Sequence, residues 1–205
     1  MLTLYSYQDS GNSYKPRLLL AYLKRPFRLV DTSSRDGSTR TPEFLARNAN
    51  GKVPLLELED GRHLAESNAI LLYLADGSRF LPADAYERAK VHEWLFFEQY
   101  DHEPTIAVRR ALMTYPERAD KATPERMAAL LDGGNRALGV MEARLAGHDW
   151  LAGDQFSVAD ISLFGYTHDA HVGGFDLTRY PGVLAWVKRF ADQPGHVGLE
   201  WRPEL

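Results

Sequence analysis

Pro54 stands where a strand should begin: residues 48–58 read Asn-Ala-Asn-Gly-Lys-Val-Pro-Leu-Leu-Glu-Leu, a polar turn running into an apolar stretch. Proline brings no N–H to a ladder and is excluded from strand interiors, so it belongs at a strand's first residue, at an edge or at a bulge. A cis bond between Val53 and Pro54 resolves the conflict, since cis X–Pro bonds are kept for tight turns with a purpose. Such a bond turns the Val53 N–H and C=O away from the sheet. An extended peptide ligand can then add antiparallel to Val53.

The surrounding pattern fits a small mixed sheet. Residues 2–7 alternate as a strand, Tyr14–Leu23 carry helix-period apolar residues, and Phe27–Val30 form a second strand. Pro16 is expected in the first turn of that first helix, where proline is tolerated. After the polar loop 32–41, Thr41-Pro42-Glu43 signals a helix start and Asn50-Gly51 its end. Two strands, 55–59 and 62–65, are joined by Asp60-Gly61, a strong hairpin signal. Ser67 then caps a helix through Leu74. The order is βαβαββα within residues 1–80, followed by a linker at 81–86.

From 87 to 205 the pattern is all-helical, with amphipathic segments at about 86–115, 124–146, 157–170 and 181–192. One helix start is sharply legible. Ser157 and Asp160 fit a capping box, and Phe156 and Ile161 occupy its hydrophobic staple. That signal speaks of folding, not of chemistry.

Composition narrows the chemistry. With no cysteine among 205 residues, disulfides, thiolate metal sites and protein-thiol nucleophiles are excluded. A net charge of −4 gives no nucleic-acid footprint, and no apolar run reaches the length of a membrane span. The first seven residues read as a strand and not as a leader, so a cytoplasmic protein is expected. His168 and His171 have a spacing that metals can use, but no third ligand is evident, and no metal site is expected.

Twelve residues after Pro54 comes Glu66-Ser67 at a helix start. Free N–H groups and the serine hydroxyl there suit a carboxylate, and Glu66 suits an ammonium; together they match an α-amino acid end. The motifs Asn50-Gly-Lys-Val-Pro-Leu-Leu56, Glu66-Ser-Asn-Ala-Ile-Leu71 and Phe156-Ser-Val-Ala-Asp160 make the chain resemble a cytosolic glutathione transferase over essentially its full length.

The resemblance implies a thioredoxin-like first domain, a helical second domain supplying the electrophile pocket, and a homodimer. It implies that Val53, beside Pro54, pairs with the cysteinyl backbone of glutathione. Glu66 and Ser67 would hold the γ-glutamyl end, and Lys52 and Arg40 the glycyl carboxylate. Stabilising the glutathione thiolate falls to the loop after strand one. There Ser10 is the first candidate, Asn12 resembles the asparagine of the bacterial nu class, and Ser13 could instead cap the helix. Tyr5 and Tyr7 lie close to the position used by tyrosine-based classes. Zeta-type isomerase chemistry is in doubt because Asn12 replaces a cysteine, and the mixed-disulfide route of the beta and omega classes is closed. Tyr7, Tyr100 and Tyr115 are the aromatic candidates for the electrophile pocket. The implied activity is glutathione conjugation or peroxide reduction. A non-catalytic binder of glutathione or apolar ligands is the alternative.

Overall fold

The structure is a computed structural model and describes residues 1–204. It divides into two compact units, Met1–Ser78 with the C-terminal stretch from Pro194, and Arg79–Gln193.

In the first unit, β1 (Leu2–Ser6), β2 (Phe27–Asp31), β3 (Leu55–Glu57) and β4 (His63–Ala65) form one sheet in the order β2-β1-β3-β4. β1 runs parallel to β2, with Leu4 opposite Leu29, while β1–β3 and β3–β4 are antiparallel. The helices are α1 (Gly11–Tyr22), α2 (Pro42–Arg47) and α3 (Ser67–Ala75). This is the expected thioredoxin-like arrangement. Strand alternation explains its layers. Leu2 and Leu4 are buried on one face, while Tyr5 on the other meets Phe44 of α2 edge-on at 6.3 Å.

Helix α1 departs from the sequence reading. It begins at Gly11, with the Ser10 hydroxyl accepting the Ser13 N–H, so Pro16 lies inside the helix and not in its first turn. Gly11, Asn12 and Ser13 carry no apolar signal, which hid the start. A capped first turn needs little intrinsic propensity, because its N–H groups have no helical partners in any case.

The C-terminal stretch also differs from expectation, which placed it with the helical domain. Tyr14 donates to the Val197 carbonyl at 2.5 Å, and the Gln8 amide donates to the Leu199 carbonyl at 2.7 Å. Arg202 closes the attachment on Asp31 at 2.6 Å.

The second unit holds α4 (Ala85–Phe97), α5 (Glu103–Thr114), α6 (Pro124–Leu145), α7 (Val158–Thr167) and α8 (Pro181–Ala191). Where one helix was expected over 86–115, a π-helical turn at Glu98–His102 separates α4 from α5. Pro104 supplies the reason: it has no N–H for the Tyr100 carbonyl and its ring crowds that group. The Glu103 N–H bonds instead to the Glu98 carbonyl, five residues back.

The start of α7 anchors this core as expected. Ser157 and Asp160 form the capping box. The Asp160 carboxylate also accepts from the Leu151 N–H at 3.0 Å and the Trp186 indole at 3.0 Å. Burial lifts its pKa to about 6, against the pull of these donors. Phe164 and Phe190 stack beside it with ring centroids 3.9 Å apart.

Candidate functional site

Three backbone features of the first unit build the candidate site. The Val53–Pro54 bond is cis, as expected, and Val53 lies just outside β3, whose ladder begins at Leu55. The turn before it is organised by Asn48, which the sequence reading missed. Its side chain donates to the Lys52 carbonyl at 2.8 Å and accepts the Asn50 N–H at 3.1 Å. It fell inside the helix expected to end at Asn50-Gly51, whereas α2 ends at Arg47 with Asn48 as its C-cap. Gly51 is required here: its φ is +60°, and a Cβ would lie 2.6 Å from Arg40 Nη1 and 2.9 Å from the Thr39 carbonyl. Arg40 crosses the glycine to donate to the Asn50 carbonyl at 3.2 Å, which brings it and Lys52 onto the same turn.

Glu66 is the second feature. It precedes α3 with φ +69°, a conformation that costs a side-chain-bearing residue of order 1 kcal/mol or more. It is the N-cap in place of Ser67, which is the first helical residue and not the expected cap, and its side chain makes no capping bond. The first turn of α3 is therefore not closed by its own N-cap, and Glu66 is exposed while the Ser67 side chain lies beneath.

The third feature is the β1–α1 loop, which reaches the same point. The Ser67 hydroxyl is 3.3 Å from Asn12 Oδ1. Lys15, buried one turn into α1, places its ammonium 2.7 Å from Asn12 Oδ1 and 3.5 Å from the Ser67 hydroxyl. The N-termini of α1 and α3 thus converge, and their positive ends favour an anion there. Lys15 entered the sequence reading only as a helix residue. Its spacing of three from Asn12 puts both on one helix face, which was the available signal.

The remaining hydroxyls of this region are committed in different ways. Ser10 accepts the Ser13 N–H at 3.2 Å, and buried Ser13 accepts the Tyr7 N–H at 3.3 Å. The cap of α1 is therefore Ser10, not Ser13. Tyr5 donates to Glu57 at 2.8 Å and accepts from Arg47 at 2.7 Å. Burial, and then Glu57, raise its pKa above the ordinary phenol value. The Tyr7 hydroxyl accepts from Arg35 at 2.8 Å.

In the second unit, Tyr100 is 84% exposed on the π-helical turn, whereas Tyr115 is 9% exposed with the Arg118 guanidinium 5.5 Å from its ring centre. His168 stacks on Phe164 and hydrogen-bonds the Phe164 carbonyl, and burial lowers its pKa. No group of three metal-ligating side chains occurs among the described residues, and no helix among them is long and apolar enough to cross a membrane.

Comparison with known proteins shows the family. Residues 1–76 match the glutathione S-transferase N-terminal domain, and residues 124–189 the glutathione S-transferase C-terminal domain. A glutathione S-transferase structure from Pseudomonas fluorescens Pf-5 is 47% identical, with 97% of this chain and 98% of that one covered and a TM-score of 0.93. Glutathione S-transferase GstB of Escherichia coli K12 is 31% identical, covering 95% of each protein. Disulfide-bond oxidoreductase YfcG of the same strain is 29% identical over 95% of this chain and 92% of its own length. The chain belongs to the glutathione S-transferase family.

Proposed function

We propose that the protein is a glutathione transferase that activates the glutathione thiol for attack on a small hydrophobic electrophile or a hydroperoxide. The observation that carries this reading is the convergence at Asn12, Lys15 and Ser67, where two helix starts meet within hydrogen-bonding distance. Glutathione would lie with its γ-glutamyl carboxylate on Ser67 and the α3 N-terminus, and its ammonium against Glu66. The cysteinyl backbone would pair with Val53 beside Pro54, and the glycyl carboxylate would meet Lys52 and Arg40.

The thiol then reaches the Ser10–Asn12 loop. A free thiol of pKa about 8.5 is mostly protonated at neutral pH, and a donor to the sulfur together with the α1 N-terminus favours the anion. The proton leaves to solvent, and the sulfur lone pair forms the new bond as the electrophile releases its leaving group or opens its ring. With a hydroperoxide, two glutathiones are oxidised to the disulfide while the peroxide is reduced to alcohol and water.

A second reading, disulfide reduction by two glutathiones, is supported by the likeness to YfcG and requires no protein thiol. Here the substrate disulfide gains two hydrogens as the glutathiones become their own disulfide. Tyr7, Tyr100 and Tyr115 remain the proposed aromatic contacts of the acceptor. A homodimer is proposed as well, on the exposed aromatic side chains Phe96 and Tyr100, 73% and 84% accessible. Sedimentation at micromolar concentration tests it, and a monomer alone would contradict it.

The functional test is a turnover screen with glutathione against aryl halides, epoxides, hydroperoxides and small disulfides. Turnover of at least one class is expected. Binding of glutathione with no turnover of any class would favour the non-catalytic binder instead.

A further inference from the structure

A cavity of about 490 Å³ lies at the end of α1 away from the converging loops. The twelve residues of α1, at 1.5 Å each, put its two ends about 18 Å apart. Leu20 and Ala21 of α1 and Phe27 of β2 form one wall, and Val197, Trp201 and Pro203 of the C-terminal stretch form the other. Phe27 and Trp201 join the two walls, with ring centroids 6.2 Å apart. A mainly apolar cavity of this volume is of small-molecule size.

Its charged lining has a definite sign. Lys24 and Arg25 are exposed at the turn that ends α1, against a single carboxylate, Glu204. Met1 lines the cavity too, but its ammonium pairs with Glu59 at 3.3 Å. Neither Lys24 nor Arg25 has an ion-pair partner among the described residues. Lys24 also holds φ +50°, just after the helix C-cap, where glycine is the usual residue. The turn is closed by the Lys24 N–H on the Ala21 carbonyl and the Arg25 N–H on the Leu20 carbonyl, both at 3.0 Å. Glycine would make these bonds without strain. A cation at a helix C-terminus is favourable in itself, but Arg25 already meets that need. The lysine is kept at a strained position that borders the cavity.

We propose that this cavity binds an amphipathic carboxylate, with its apolar body between α1 and the C-terminal stretch and its head group on Lys24 and Arg25. The proposal does not depend on the glutathione reading, because it uses none of the residues at the start of α1. An uncharged apolar ligand leaves both cations unused, and a cationic one meets two like charges. The exposed ion pairs fix the orientation, and burial of the apolar body supplies most of the binding.

Isothermal titration with decanoate, below its micelle concentration, tests the site. One decanoate per chain is expected, with binding retained in millimolar glutathione and decylammonium bound more weakly. Lys24→Gly/Arg25→Gln should weaken decanoate about 3- to 30-fold, the range for losing one to two exposed ion pairs. Ala21→Trp should abolish binding by filling the cavity. Lys24→Gly alone should raise the melting temperature while weakening decanoate, since it relieves the positive φ and removes a cation.

Absence of saturable binding to wild type overturns the proposal, and so does displacement by glutathione, which puts decanoate at the other end of α1. Unchanged affinity in either the charge variant or Ala21→Trp overturns it, as does decylammonium binding as tightly as decanoate. If Ala21→Trp does not fold, the wild-type crystal structure with ω-bromodecanoate decides. Bromine beside Leu20 and Trp201 supports the site. Bromine anywhere else overturns it.

Discussion

The starts of α3 and α7 are both serine-bearing helix N-termini, and they are finished in opposite ways. At α7 every donor is answered from within the fold: Ser157 caps, and Asp160 accepts from the Ser157 N–H, the Ser157 hydroxyl, the Leu151 N–H and Trp186. At α3 the N-cap residue, Glu66, sits at φ +69° and contributes no side-chain bond. The first helix start is closed and serves folding. The second has no side-chain bond from its N-cap residue and carries backbone strain there, which fits the anion site proposed above. Substitutions at the two should therefore separate stability from binding.

The largest effect is expected at the closed end. Asp160→Ala leaves the Leu151 and Ser157 N–H groups and the Trp186 indole without their acceptor, and should cost about 3–5 kcal/mol of stability. Denaturant unfolding checks it. The pH dependence has a definite sign. Burial lifts the Asp160 pKa from 3.8 to about 6, so the fold favours the protonated form. Its contribution is full below the ordinary pKa and declines as pH rises through the folded one. The gap between wild type and Asp160→Ala should narrow over that window.

At the open end, Ser67→Ala should spare stability and weaken glutathione binding by roughly 10- to 100-fold. That is the range for losing a hydrogen bond to a charged group, about 1.5–3 kcal/mol. A melting temperature lowered as far as in Asp160→Ala would erase the contrast between the two helix starts.

The smallest effect sharpens the comparison most. Glu66→Gly relieves a positive φ and should stabilise the protein by about 1 kcal/mol, while glutathione binding weakens because the carboxylate for the ammonium is gone. Stability and affinity moving in opposite directions is the signature of strain kept for a site. Both falling together would speak against it.

Local signals made much of this legible in the sequence. Pro54 with its polar turn, the Asp60-Gly61 hairpin and the Ser157–Asp160 box each declare themselves within a few residues, since turn and cap chemistry is decided by neighbours. What escaped depends on distant partners. Lys15 and Ser67 meet across 52 residues of sequence, and nothing in either segment alone signals that contact. Tyr14 and Gln8 hold a C-terminal stretch more than 180 residues away. The break at Glu98–His102 was hidden because the helical period runs on through it, while Pro104 acts on the carbonyl four residues before it.

Isothermal titration of glutathione into the wild-type protein is the most direct test that the converging starts of α1 and α3 form a glutathione site. Saturable binding is predicted below millimolar glutathione, with one ligand per chain, and it should be lost or strongly weakened in Ser67→Ala. An absence of binding heat at millimolar glutathione across several temperatures, from a protein that unfolds cooperatively, would contradict the account.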